Sequence, residues 1–460
     1  MSRKPASKTV SAKFEGSDKT EDKPKATKKN SKTPQLLRGF KDILPADQHY
    51  WEFIRKTAES FYKGYGFQRI DLPILEESNL FVRAIGKNTD IVEKEMFSFV
   101  DQSDGNVVLR PEATASIARA YVNHGMLNLS QPVKLYYFGP MFRRERPQSG
   151  RLRQFHQFGF EILGDNNPVI DAQIIAIANN FFHQIGLKDI SIQVNSIGSP
   201  EARKEYIKEL VAYYRSKRRM LPEEARKRIT KNPLRILDSK DEAVVLVNKD
   251  APQIIDYIDD ESKEHFMRVV GYLDELNVSY VLNPTLVRGL DYYSKTVFEV
   301  WPKLEKETSQ SALCGGGRYD GLIEMIGGRE KTPGAGVAFG VERIITQLRN
   351  NDVAIPEDDL PEIFLAQIGD QAKVKGLILF EQLRRENIRA AENFAKDSLK
   401  AQLELANKLG VKYALILGQK EVMDGTILIR DMESGVQEVI DFNKTVSDLK
   451  KKLRKIKLGE

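Results

Sequence analysis

The segment FRRERPQSGRLRQFHQFGFE, from Phe142 to Glu161, constrains this chain more than any other. It reads as the end of one strand, an arginine-rich loop and a second strand. Successive strand side chains point to opposite faces, so Phe155, Gln157, Gly159 and Glu161 share one side and His156, Phe158, Phe160 and Ile162 the other. The second set is a core stripe. The first offers a ring on which a base can stack, an amide and a carboxylate to orient a small ligand, and a glycine where that ligand can approach the backbone. On the preceding run Tyr137, Gly139, Met141 and Arg143 also fall on one face, and pairing as a hairpin brings Arg143 beside the others. The competing reading is an ordinary hairpin with a solvated basic loop. It leaves Gln157, Glu161 and Arg143 together on one face without a reason.

Three further segments carry chemistry. The run Val107 to Glu112 reads as a short strand ending in RPEAT, with a helix beyond Thr114, so Glu112 and Thr114 stand at a strand-to-helix junction. An acid there either caps the helix N-terminus or binds a ligand. LVRGLDYYSKTVFEV brings Arg288, Asp291, Tyr292 and Tyr293 just before a β-branched and aromatic strand, and ALCGGGRYDGL follows. Its glycine triplet is not a P-loop, because GxxxxGK[ST] is missing. In GAGVAFGVERII, Gly334, Gly336, Ala338 and Gly340 alternate with Val337, Phe339 and Val341. One face of that strand is stripped of side chains, which admits a flat or phosphorylated ligand, and Arg343 follows in the first turn of the next helix, where anions are favoured.

Composition excludes several classes. A single cysteine, Cys314, forms no intrachain disulfide and no Cys-based zinc site, and the five histidines show no HExxH spacing. No apolar run approaches the roughly 18 residues of a membrane span, and no signal-peptide hydrophobic region follows the first Met. Cytoplasmic residence is the expectation. Residues 1–36 hold ten Lys and Arg against four Asp and Glu, a difference of six that equals the whole formal charge of +6. The body is therefore balanced, and RNA contacts there must come from local patches. The Lys-rich tail has the composition of a disordered segment.

Around this site the chain changes character twice. From about 199 to 276 it is charged and helix-forming, with basic runs SKRRM and EEARKRI. From Pro361, segments reading as strands and helices alternate, which predicts a small α/β domain with a largely parallel sheet.

The Phe142–Glu161 segment resembles motif 2 of the class II aminoacyl-tRNA synthetases, in wording closest to the histidyl branch. The helix bearing Trp51, Ile54, Ala58, Phe61 and Tyr62, with FQRIDLPIL after it, is similar to motif 1, which builds the dimer interface in that class. GAGVAFGVERII resembles motif 3, and the Arg288 and glycine-triplet segments resemble the two histidyl signature peptides. The resemblance implies an α+β fold: a catalytic domain over 37–350 on an antiparallel sheet, with a helical insertion at about 199–276, and an anticodon-binding α/β domain over 361–460. It implies a homodimer that activates histidine with ATP and Mg²⁺ and transfers it to tRNA(His). Carried over residue by residue, Arg143 and Arg288 serve the α-phosphate and catalysis, Arg343 the γ-phosphate, and Phe155 the adenine, while Glu145 is a potential Mg²⁺ ligand. Glu112, Thr114 and Gln157 fall to the α-amino group of histidine, and Glu161 and Tyr293 to the imidazole, with Arg288 beside them. Gln148, Arg153 and Arg146 fall to the tRNA acceptor end. A histidine-sensing regulatory subunit or a sensor of uncharged tRNA on the same fold are the non-catalytic alternatives. The first typically lacks a C-terminal module and has eroded ATP motifs, unlike this chain.

Overall fold

The computed structural model describes residues 33–145, 151–303, 312–356 and 360–458. Its centre is an eight-stranded sheet, in the spatial order 68–69, 133–142, 154–163, 334–340, 314–318, 294–302, 190–196 and 281–282. The six inner strands pair antiparallel, and only the two-residue strands at the edges pair parallel. The hairpin expected from sequence is present, with Met141 opposite Phe155, Gly139 opposite Gln157 and Tyr137 opposite Gly159.

The back of the sheet is the core stripe. Phe158, Phe160 and Ile162 are fully buried, and Phe158 stacks on Phe339 of the neighbouring strand with ring centroids 4.5 Å apart. Helices Gln48–Gly64, Pro168–Gln184, Asp260–Glu275 and Val341–Asn350 cover this face with apolar residues of the same cluster. Each such side chain contributes about 1.5–3 kcal/mol when removed from water. Pro168–Gln184 starts where sequence would start it: the Asn167 side chain accepts from the Val169 amide, and Pro168 occupies the first turn.

The front of the sheet holds a second cluster, in which helices Ser78–Ile85 and Thr114–Asn123 pack beside the insertion residues Tyr206, Leu210 and Tyr214. The insertion is helical, yet it is not one body. Residues 206–254 pack on the front, whereas Phe266, Val269 and Leu273 of its last helix belong to the back layer.

Two sequence expectations change. FQRIDLPIL is not one strand but two short ones, Gln68–Arg69 and Leu75–Glu77, since Pro73 between them has no N–H to give a ladder. In residues 360–458 the sheet runs 390–392, 363–367, 413–417, 426–431, 437–441, with its own apolar core. Its first two pairings are parallel and its last two antiparallel, so it is mixed rather than largely parallel. The strand Gln437–Asp441 went unread because its residues are mostly exposed and lack an apolar alternation.

Candidate active site

Register fixes which residues share the front face. Across the sheet, one row runs Tyr137, Gly159, Ala338, Gly315, Glu299, and the next Leu135, Glu161, Gly336, Gly317, Val297. A cavity of about 450 Å³ opens above these rows. Glu112, Thr114, Arg143, Glu145, Phe155, Gln157, Glu161, Arg288, Tyr293 and Arg343 all line it. Ten residues drawn from five separate stretches of sequence thus meet in one place.

The glycines do not leave the floor bare, as the sequence suggested. A Cβ on Gly159 would stand 2.5 Å from the Tyr137 ring, and one on Gly315 would stand 2.5 Å from Nη1 of Arg288. On Gly336 it would run into the carboxylate of Glu161. Their missing side chains make room for neighbouring side chains of the site, and Gly340 alone among the front-facing glycines of strand 334–340 has no side-chain atom closer than 3.5 Å to that position.

Glu161 is 1% exposed. The hydroxyl of Thr114 donates to its Oε1 at 2.8 Å and that of Tyr319 to its Oε2 at 2.5 Å. Burial pushes its carboxyl up to about 8, against the two hydroxyl donors and with help from the nearby charge of Glu112. The phenol touching Glu161 is Tyr319, a residue of the glycine-triplet segment to which the sequence assigned no role. Its position two beyond Gly317 and four beyond Gly315 was the available signal, since those three share a face. Tyr293 stands beside the cavity in tilted contact with Tyr292, centroids 4.7 Å apart.

Both readings of Glu112 find support in the geometry. Its carboxylate accepts from the amides of Thr114 and Ala115 at 2.7 and 2.9 Å, which caps the helix Thr114–Asn123, while the side chain also lines the cavity. Gln157 points an amide oxygen, and Tyr137 a hydroxyl, into buried positions with no partner among the described residues. Unpartnered buried groups are rare in folded proteins, and both of these side chains line the cavity.

The cationic side is built from Arg143, Arg288 and Arg343. Arg143 donates to the carbonyl of Pro111 at 3.0 Å, and its guanidinium lies 5.3 Å from the Phe155 ring centroid. Arg288 pairs with Glu299 and lies 5.4 Å from the centre of the Tyr293 ring. Burial works against its charge, but Glu299 and the flanking phenols hold it above the ordinary range. Arg343 donates to the carbonyl of Ala312 at 2.9 Å. Burial, followed by the like charges of Arg151 and Arg143, pulls it below its ordinary range. Such a group gains from an arriving anion. Glu145 faces Arg151 at 3.2 Å and Arg143 at 3.9 Å.

Of the residues assigned to the tRNA end, Arg146 and Gln148 lie outside the described residues. Arg153 is tied down: its amide donates to Gly39 and its Nε to the carbonyl of Glu145, at 2.7 and 3.3 Å.

An antiparallel sheet with three arginines, a ring for a base and a buried acid on its open face is the catalytic architecture of a class II aminoacyl-tRNA synthetase. Comparison with known proteins narrows this. A family model described as histidyl-tRNA synthetase matches residues 39–344, and one described as an anticodon binding domain matches 362–452. A Dehalococcoides mccartyi protein named histidine–tRNA ligase is 44% identical over 419 residues, covering 91% of this chain and all of that one. One of the same name from Pelotomaculum thermopropionicum is 42% identical, covering 90% and 97%. The crystal structure of apo histidyl-tRNA synthetase from S. aureus superposes with a TM-score of 0.75 at 33% identity, covering 90% of this chain and 99% of that one. The chain belongs to the histidyl-tRNA synthetase family.

Proposed function

We propose that the protein is a histidine–tRNA ligase. The carboxylate of histidine attacks the α-phosphorus of ATP, the bond to the β,γ-phosphates breaks, and pyrophosphate leaves. The terminal ribose hydroxyl of tRNA(His) then takes the histidyl group and AMP departs. The observation that carries this reading is the pocket around Glu161, where a buried acid held by two hydroxyls sits beside an orphaned amide and three arginines.

Each group then has a task. Glu161, with Tyr319 and Tyr293 near it, receives the imidazole, and a substrate lacking the ring nitrogens forgoes the hydrogen bond this acid offers beyond its two hydroxyl partners. Gln157 takes the α-amino group through its free oxygen, with Glu112 and Thr114 beneath it. Phe155 stacks on adenine. Arg143 and Arg288 draw charge from the α-phosphate and Arg343 from the γ-phosphate, since transfers of this type run on alignment and neutralisation of phosphate oxygens. No group of three or more His, Cys, Asp or Glu among the described residues could hold a metal ion. Mg²⁺ would come with the phosphates of ATP and neutralise their charge, and Glu145 or another carboxylate of the cavity would serve as its protein ligand.

The 361–460 unit reads the anticodon, and Arg146, Gln148 and Arg153 serve the acceptor end. The enzyme works in the cytoplasm as a homodimer. Ile74, Leu75, Phe99 and Val100, exposed on and beside a three-stranded sheet of Leu75–Glu77, Asn106–Leu109 and Phe97–Val100 that follows the motif 1 helix, supply an apolar face for that contact. Among the described residues no helix is long and apolar enough to cross a membrane. The test is exchange of labelled pyrophosphate into ATP across a panel of amino acids. Exchange dependent on histidine alone is expected, and exchange with none of them would refute the assignment.

A further inference from the structure

Glu299 lies in the middle of the strand Ser294–Pro302, opposite Gly315 on one side and Gln193 on the other. That register points it to the front face, in the row with Gly159, Ala338 and Gly315. Everything else in the middle of that row is small, and the guanidinium of Arg288 occupies the space over Gly315. Glu299 meets it from the side. Its Oε1 pairs with Nη1 of Arg288, and its Oε2 accepts from the indole Nε1 of Trp301 at 3.1 Å. Both carboxylate oxygens are therefore held, one by the arginine and one by a ring fixed to the same strand.

The arginine, by contrast, is only partly used. Its Nε is buried without a hydrogen-bond partner, while the side chain lines the cavity. A guanidinium is planar, so a carboxylate that holds one nitrogen fixes the direction of all the others. With Gly315 beneath, Tyr293 against one side and Glu299 at Nη1, the guanidinium plane is held where it lines the cavity.

We infer that Glu299 is a positioning residue for adenylate formation, aiming the guanidinium of Arg288 at the phosphate where charge builds. This rests on the reading of Arg288 given above and extends it to a cavity-lining residue whose two carboxylate oxygens are both engaged by protein partners. A preoriented charge contributes mainly to the chemical step, because the protein does not reorganise as the reaction proceeds. Loss of its holder therefore lowers kcat more than it raises KM.

The test measures histidine-dependent pyrophosphate exchange in four proteins: wild type, Glu299→Gln, Arg288→Ala and the double variant. Glu299→Gln keeps the shape and the hydrogen-bonding reach but removes the charge. Its kcat is expected to fall roughly ten- to a hundredfold, the scale for partners that orient a functional group, with KM for histidine within about twofold of wild type on that reading. In the Arg288→Ala background the same change is expected to have almost no effect, since nothing is left to aim. An equal loss in both backgrounds overturns the inference, as does a Glu299→Gln enzyme with wild-type kcat while Arg288→Ala is inactive. Full exchange in Arg288→Ala overturns instead the reading of Arg288 itself, and the inference with it. Should Glu299→Gln fail to fold, Glu299→Asp serves: it keeps the charge but withdraws it by one methylene. An intermediate kcat at unchanged KM supports positioning, and a rise in KM for histidine matching the fall in kcat overturns it.

Discussion

Glu161→Gln separates what the buried acid does for the fold from what it does for the substrate. Burial lifts the Glu161 carboxyl from its ordinary 4.5 to about 8. Between those pH values the native protein keeps the proton and the unfolded chain has released it. The unfolded state thus binds fewer protons, so stability falls as pH rises through that window and levels off above about 8. The interval, about 3.5 pH units at about 1.4 kcal/mol each, amounts to about 5 kcal/mol. Glutamine fills the same space, can still meet both hydroxyls and does not ionise. Relative to wild type, Glu161→Gln should therefore gain up to about 5 kcal/mol of stability between pH 5 and 8.5, even as it loses histidine activation by at least about a hundredfold. Both tryptophans, Trp51 and Trp301, lie in the synthetase unit, so urea unfolding followed by their fluorescence reports that unit without the C-terminal one. A difference between the two proteins that stays constant from pH 5 to 9 would refute the reasoning, because it would mean that Glu161 does not titrate as a desolvated acid.

Other outcomes follow from the same geometry. Arg288→Ala should leave histidine binding by calorimetry nearly intact while pyrophosphate exchange falls at least about a hundredfold, the usual scale for losing a preorganised charge. Gly159→Ala places a methyl against the Tyr137 ring, and overpacking should cost about 1–3 kcal/mol of stability, read as a lower urea midpoint; an unchanged midpoint would count against the close fit of that ring over Gly159. Removing residues 361–460, which pack around their own core, should spare exchange but weaken tRNA charging, and a parallel loss of both activities would make that unit structural.

Much of the fold was legible because the chain alternates so strictly. Phe158, Phe160 and Ile162 against Gln157, Gly159 and Glu161 state a one-sided sheet within a single strand, and strand Gly334–Gly340 repeats the pattern beside it. The residues of the site were legible from the same alternation and from the family's motif wording. What stayed hidden was pairing across the sheet. Nothing in Leu286 to Val300 taken alone says that Arg288 and Glu299 meet, because they do so only after the strand turns Glu299 toward the cavity and the loop before it folds back. The limits of the front-layer helices were hidden for a similar reason: Phe266, Val269 and Leu273 have the same apolar spacing whichever side of the sheet they cover.

The glycines show why such contacts elude a linear reading. In sequence, a glycine on a strand face reads as space reserved for a ligand. In the folded chain the space over Gly336 is taken by Glu161, and that over Gly159 by Tyr137. Because Gly336 has no Cβ, the acid lies flat against the sheet, loses its water and comes within reach of the Tyr319 and Thr114 hydroxyls. The raised affinity of Glu161 for a proton is in this sense a property of Gly336 as much as of the acid. It follows that Gly336→Ala and Glu161→Gln should fail for different reasons, the first by lifting the carboxylate toward solvent and returning its titration toward 4.5, the second by putting an amide that cannot ionise in the place of the acid. A pH profile of histidine affinity distinguishes them.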